Sequence, residues 1–106
     1  MTQDTLPNRR SAITESILWM GNTIHLRAGL DSTGAIKELW IKGGKSGSEF
    51  DALCDEFAIM ISRFLQSGMT VEMVRRMFGR LDGGAPASIA GAAADWLQGL
   101  EAELSA

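Results

Sequence analysis

The sequence predicts an α+β domain: a three-stranded antiparallel meander followed by three helices packed on it. Three observations carry that prediction. Two turn-forming stretches, Gly21-Asn22 and Asp31-Ser32-Thr33-Gly34, separate three runs of alternating apolar and polar residues. Apolar residues then recur at helical spacing from Phe50 onward. Strands precede helices instead of alternating with them, which argues against a parallel βαβ sheet.

The Gly21-Asn22 turn closes the first hairpin, since both residue types tolerate positive φ. That placement sets Trp19 opposite Ile24 and Ile17 opposite Leu26, with Leu18 and His25 meeting on the other face. A four-residue second loop sets Leu39 opposite Leu26 and Ile41 opposite Ile24. Both hairpins thus deliver Ile17, Trp19, Ile24, Leu26, Leu39 and Ile41 to one face, and agreement between independent turns supports the meander. The other face displays Leu18, Met20, His25, Ile36 and Trp40, together with an Arg27–Glu38 cross-strand pair. A sheet face this apolar calls for cover, by the third helix or by another subunit.

The first helix starts from a Ser46–Glu49 capping box, with Ser48 as a competing cap. Its stripe is Phe50, Leu53, Cys54, Phe57, Ala58, Ile61, Phe64 and Leu65, its solvated face carries Asp51, Asp55 and Glu56, and Gly68 stops it. Thr70 caps a shorter helix bearing Val71, Val74, Met77 and Phe78. Residues 79–85 form a loop, and Pro86 suits the first turn of a third helix with Ile89, Ala92, Ala93, Trp96, Leu97, Leu100 and Leu104 inward. The methionines, Met60, Met69, Met73 and Met77 among them, read as adaptable core. Residues 1–10 read as a flexible arm, and 11–106 as one domain.

Composition bounds the function. At 106 residues, 45% hydrophobic and 22% charged, the chain can bury one modest core. A net charge of −3 argues against general nucleic-acid binding, although Arg9 and Arg10, or Arg75, Arg76 and Arg80, could form a local basic patch. A lone cysteine, Cys54, allows neither an intramolecular disulfide nor a Cys-rich metal site, and it sits on an apolar stripe as an inert thiol. His25, the single histidine, reads as a packing residue, and no metal or cofactor is expected. No secretory leader or membrane-length apolar run is visible, which fits a cytoplasmic setting.

The basic, glycine-rich run Lys42-Gly43-Gly44-Lys45-Ser46-Gly47-Ser48 leads into the first helix, whose unpaired N–H groups and dipole favour anions. It is not a nucleotide-hydrolysing P-loop: the first glycine of that motif is replaced by Leu39, and the preceding strand belongs to a meander. Two readings remain for the run, a capped connection with solubilising lysines and a site for a phosphate-bearing ligand. The carboxylates form no acid–base pair, so no catalytic residue is assigned.

The run Asp31-x-x-Gly34, Lys37-Glu38-Leu39-Trp40-Ile41 and Gly43-Gly44-Lys45-Ser46-Gly47-Ser48 is similar to the TSCPD domain, as is Ile61-Ser62-Arg63-Phe64-Leu65-Gln66-Ser67-Gly68-Met69. The Leu6-Pro7-Asn8-Arg9-Arg10 stretch resembles its stand-alone bacterial members. The domain also occurs near the C-terminus of vitamin B12-dependent ribonucleotide reductases. The resemblance therefore implies a relation to ribonucleoside-diphosphate reductase, with that enzyme or a nucleotide as expected partner. The family's Thr-Ser-Cys-Pro-Asp segment is approximated by Gly84-Ala85-Pro86-Ala87-Ser88, which lacks the cysteine. Radical ribonucleotide reduction needs a thiyl-forming cysteine and a reducing pair, so the resemblance implies a non-catalytic accessory module. The alternative is a homodimeric interaction module that pairs through Leu18, His25, Ile36 and Trp40.

Overall fold

The computed structural model describes residues 11–43 and 47–105. Strands β1 (Ala12–Trp19), β2 (Asn22–Leu30) and β3 (Ile36–Gly43) precede helices α1 (Glu49–Gln66), α2 (Val71–Arg75) and α3 (Ile89–Ser105). The strands form one antiparallel sheet in the order β1-β2-β3, the expected meander. The expected arm, and Gly44, Lys45 and Ser46 of the glycine-rich run, lie outside the described residues.

The first turn sits one residue earlier than the sequence suggested. The second falls at Asp31–Gly34 as expected, where the Gly34 N–H donates to the Asp31 carbonyl at 3.0 Å, but the pairing around it differs. Met20 and Gly21, both at positive φ (51° and 77°), close the first hairpin, so Trp19 pairs with Asn22 and Ile17 with Ile24. Two central residues with positive φ are the mark of a type I′ turn, which matches strand twist. In the second hairpin Leu26 pairs with Ile41 and Ala28 with Leu39. In both hairpins the partners are displaced by two residues, and since side chains alternate with period two, every residue there keeps its face. Ile36 is the exception. A register shift at Gly29/Leu30 pairs it with Leu30 and turns it into the core, so it is buried and not on the outer face. The same register sets Trp40, not Glu38, opposite Arg27.

Ser48, the competing cap, begins α1 by accepting the Asp51 N–H at 3.1 Å. The helix buries Asp51, Cys54, Ala58, Ile61 and Leu65; Phe50, Phe57 and Phe64 are half-buried against the core, and Leu53 is exposed. Asp51 thus leaves the solvated face assigned to it. The helix stops in a Schellman motif: Met69 N–H donates to the Phe64 carbonyl at 3.1 Å and Gly68 N–H to that of Leu65 at 3.2 Å, with Gly68 at φ 106°. Thr70 caps α2 through the Met73 N–H. That helix ends at Arg75, so Met77 falls beyond it, and both Met73 and Met77 are exposed instead of packing in the core. Pro86 bridges to Arg80 ahead of α3, whose first turn is capped by Ser88 through the Gly91 N–H.

All three helices share one core with the inner face of the sheet, built around Ile24, Leu26, Ile41, Cys54, Ile61, Leu65, Val74 and Leu97. The α3 residue Trp96 donates its indole N–H to Glu15 on β1 at 2.5 Å, which places α3 on that same face. No described helix covers the outer face, where Leu18 is 77% and Trp40 45% exposed.

The two sheet edges are treated differently. The hydroxyl of Ser62 on α1 accepts the Leu39 N–H at 2.9 Å and donates to the Leu39 carbonyl at 3.2 Å. Gln66 donates to the Lys37 carbonyl, and the Lys37 ammonium donates to that of Leu65, each at 3.2 Å. The helix thereby closes the β3 edge at Lys37 and Leu39, where it would otherwise template further pairing. At the other edge, Leu30 N–H donates to the Ser11 carbonyl. By antiparallel alternation the odd residues of β1 then bond β2, and the backbone groups of Ala12, Thr14, Ser16 and Leu18 face outward.

Candidate functional site

Two places concentrate the residues that the sequence singled out: the start of α1 and the outer sheet face. At the first, the Asp51 carboxylate turns back over its own helix end. Its Oδ2 accepts the Lys42 ammonium at 3.0 Å and the Gly47 N–H at 3.2 Å. Lys42 and the Gly47 amide hold the Asp51 carboxyl below its ordinary value of 3.8, and Asp51 in turn raises the Lys42 ammonium. An internal carboxylate therefore already sits where helix dipole, amide and lysine favour negative charge. Its other oxygen, Oδ1, is buried without a partner among the described residues. The S-x-x-D spacing of Ser48 and Asp51 was the available signal for this arrangement. Of the expected anion-binding run, Lys42, Gly47 and Ser48 meet here, while Gly43 ends β3 with its Cα against Ile24, Phe50 and Cys54.

Cys54 is fully buried, and burial, then the negative charges of Asp51 and Asp55, push its thiol above the ordinary value. A thiol held neutral in this way is a poor nucleophile. Among the described residues no group of three or more His, Cys, Asp or Glu could hold a metal ion, and no helix is long and apolar enough to cross a membrane.

The outer face is ordered in rows by the register. Thr14, Arg27 and Trp40 form one row across the three strands, and Ser16, His25 and Lys42 the next. The Arg27 guanidinium stands over the Trp40 ring, 5.0 Å from its centroid, a cation–π contact. Ser16 Oγ and His25 Nδ1 are hydrogen-bonded at 2.8 Å. Trp40 also lies against Gly29, where an added Cβ would come within 3.2 Å of the ring. Above these rows is a cavity of about 530 Å³, which continues over the β3 edge to Asp55, Ala58 and Ile59 of α1. Three of the four residues expected at an interface, Leu18, His25 and Trp40, share this face, and Ile36 does not. Arg27, Thr14 and Ile59 were not singled out as site residues; the register that sets Arg27 beside Trp40 could not be read from the turn residues alone.

Comparison with known proteins gives a family and a relative. The sequence profile of the TSCPD domain matches residues 2–100. Over 70 residues, 66% of the chain, the sequence is 39% identical to the vitamin B12-dependent ribonucleotide reductase of Agrobacterium fabrum. The matched stretch spans 6% of that protein's length. No solved structure matches the chain.

Proposed function

The chain belongs to the TSCPD domain family, and we propose that it is a non-catalytic accessory module that assists ribonucleotide reduction by docking on a ribonucleotide reductase. The observation that carries this reading is the tip of the first hairpin. Leu18 is 77% and Met20 63% exposed, and Met20 holds a left-handed backbone (φ 51°) at a turn position that Asn occupies more comfortably. A large apolar side chain kept both exposed and strained is a mark of function more than of folding. The buried, neutral thiol of Cys54 supports the non-catalytic half of the proposal. The relation to a B12-dependent reductase supports that class of enzyme as the partner.

Biolayer interferometry against a purified vitamin B12-dependent reductase from the same organism tests it. Saturable binding that Leu18→Glu weakens, in a variant that melts like the wild type, is the expected result. Absence of binding at micromolar reductase refutes the docking role.

A second reading, a homodimer, is favoured by one specific observation: the open β1 edge beside an outer face that no described helix covers. Strand addition across a two-fold axis would cover both. Light scattering separates the readings, because a chain that stays monomeric at high micromolar concentration rules the homodimer out.

A further inference from the structure

We infer that the outer-face cavity binds a single nucleotide, with its base against the Trp40–Arg27 stack and its phosphate toward Lys42 and His25. This goes beyond the docking role and uses different residues. The Leu18–Thr23 pair lies four residues along β2 from the Arg27–Trp40 row, about 13 Å at ordinary strand rise.

Size, shape and charge argue together. A volume of about 530 Å³ falls inside the range of small-molecule sites. The floor is planar and aromatic: Gly29 carries no side chain, so the Trp40 indole lies against the sheet beneath the Arg27 guanidinium. An indole and a guanidinium both stack on the π-face of any base. The chain carries a net charge of −3, yet the sheet side of this cavity presents the cations Arg27 and Lys42, with the His25 ring as a hydrogen-bonding group. Lys42 gives one of its three N–H donors to Asp51, and with its side chain 55% exposed it keeps two for a phosphate.

The helix side supplies the groups that distinguish a nucleotide from a bare anion. Asp55 offers a carboxylate to ribose hydroxyls or exocyclic amines, and Ala58 and Ile59 offer apolar contact. The β3 backbone adds a polar edge. Alternation from Leu39, whose N–H and carbonyl face α1, points those of Ile41 the same way, and no described side chain caps them. The same Asp55, with the chain's negative charge, disfavours a polynucleotide, whose binding rests on neutralising many phosphates.

Isothermal titration with the four ribonucleoside monophosphates, adenosine, inorganic phosphate and a single-stranded oligonucleotide tests the inference on the chain alone, without reductase. At least one monophosphate should bind more tightly than adenosine or phosphate. Arg27→Ala and Trp40→Leu should each weaken it about tenfold, the loss expected for one stacking partner. Leu18→Ser should bind as the wild type does. Lys42→Gln should cost monophosphate affinity and leave adenosine unchanged; should that variant unfold, the Arg27 and Trp40 variants still decide. No binding at millimolar monophosphate, phosphate binding as well as nucleotide, tighter binding of the oligonucleotide, or unchanged affinity in the Arg27 and Trp40 variants overturns the proposal.

Discussion

Replacing Ser62 with Ala removes one oxygen atom that serves two backbone groups. Its hydroxyl accepts the Leu39 N–H and donates to the Leu39 carbonyl, in a partly buried seam between α1 and the edge of β3. Each such hydrogen bond contributes about 1 kcal/mol net. Leaving the groups unpaired adds a desolvation term wherever water cannot reach them. Against that, Ala favours the helix over Ser by roughly 0.5 kcal/mol. The balance is a loss of about 2 kcal/mol, which corresponds to roughly 8–16 °C in Tm for a domain of this size. Urea denaturation followed by circular dichroism measures it, and the m-value should not change, because the surface exposed on unfolding does not. Amide exchange supplies the local readout: Leu39 should exchange faster than its neighbours in β2. A Ser62→Ala protein within 0.5 kcal/mol of wild type, with Leu39 still protected, would show that the edge is not held by this side chain.

Other perturbations separate burial, backbone strain and charge. Ile61→Ala, at a fully buried position, should cost about 3 kcal/mol by chemical denaturation, while the half-buried Phe57→Ala should cost about 2, below the usual range for a buried Phe. Met20→Asn should stabilise the hairpin by roughly 0.5–1 kcal/mol, since Asn accepts a left-handed backbone more readily; in the docking assay the same variant should bind the reductase less well. Acid should destabilise the fold. Lys42 with the Gly47 amide depresses Asp51, and Arg80 followed by Arg75 depresses Asp95. A depressed carboxyl contributes stability that is present above its ordinary value of 3.8 and is lost as pH falls through its lower folded value. Tm should therefore be nearly flat near neutrality and fall below about pH 4, and less steeply in Asp95→Asn.

Much of the architecture was legible because it rests on periodicity. Faces survived a two-residue error in each hairpin, since Ile17, Ile24, Leu26, Leu39 and Ile41 keep their side under any even displacement. Turn position was less legible. Gly21-Asn22 looked the better dipeptide, yet the chain turns at Met20-Gly21, so local turn preference lost to the pairing of the whole hairpin. Ile36 was misplaced for a different reason: the register shift at Gly29/Leu30 breaks the alternation, and no side-chain pattern announces it. Asp51 was read as solvated because a carboxylate on a helix usually is. Its burial depends on Lys42, a strand residue nine positions earlier that only the folded chain brings to the start of α1.

The segment Ile61–Met69, which carried the family resemblance, acquires a physical meaning that bears on function. Ser62 and Gln66 close one sheet edge, Leu65 fills the core, and Gly68 with Met69 ends the helix. These roles are structural, so resemblance in this segment reports a shared fold more than a shared ligand. The residues proposed to act, Met20 at the hairpin tip and Arg27 with Trp40 on the outer face, lie elsewhere; of them only Trp40 belongs to a run that suggested the family. Substitutions in Ile61–Met69 should consequently lower stability and binding together. Substitutions at Met20 or Arg27 should change binding while the fold persists. The Ser62 and Arg27 variants, measured side by side for both properties, test that division: equal loss of stability in the two would place Arg27 among the structural residues and remove the main support for a ligand on the outer face.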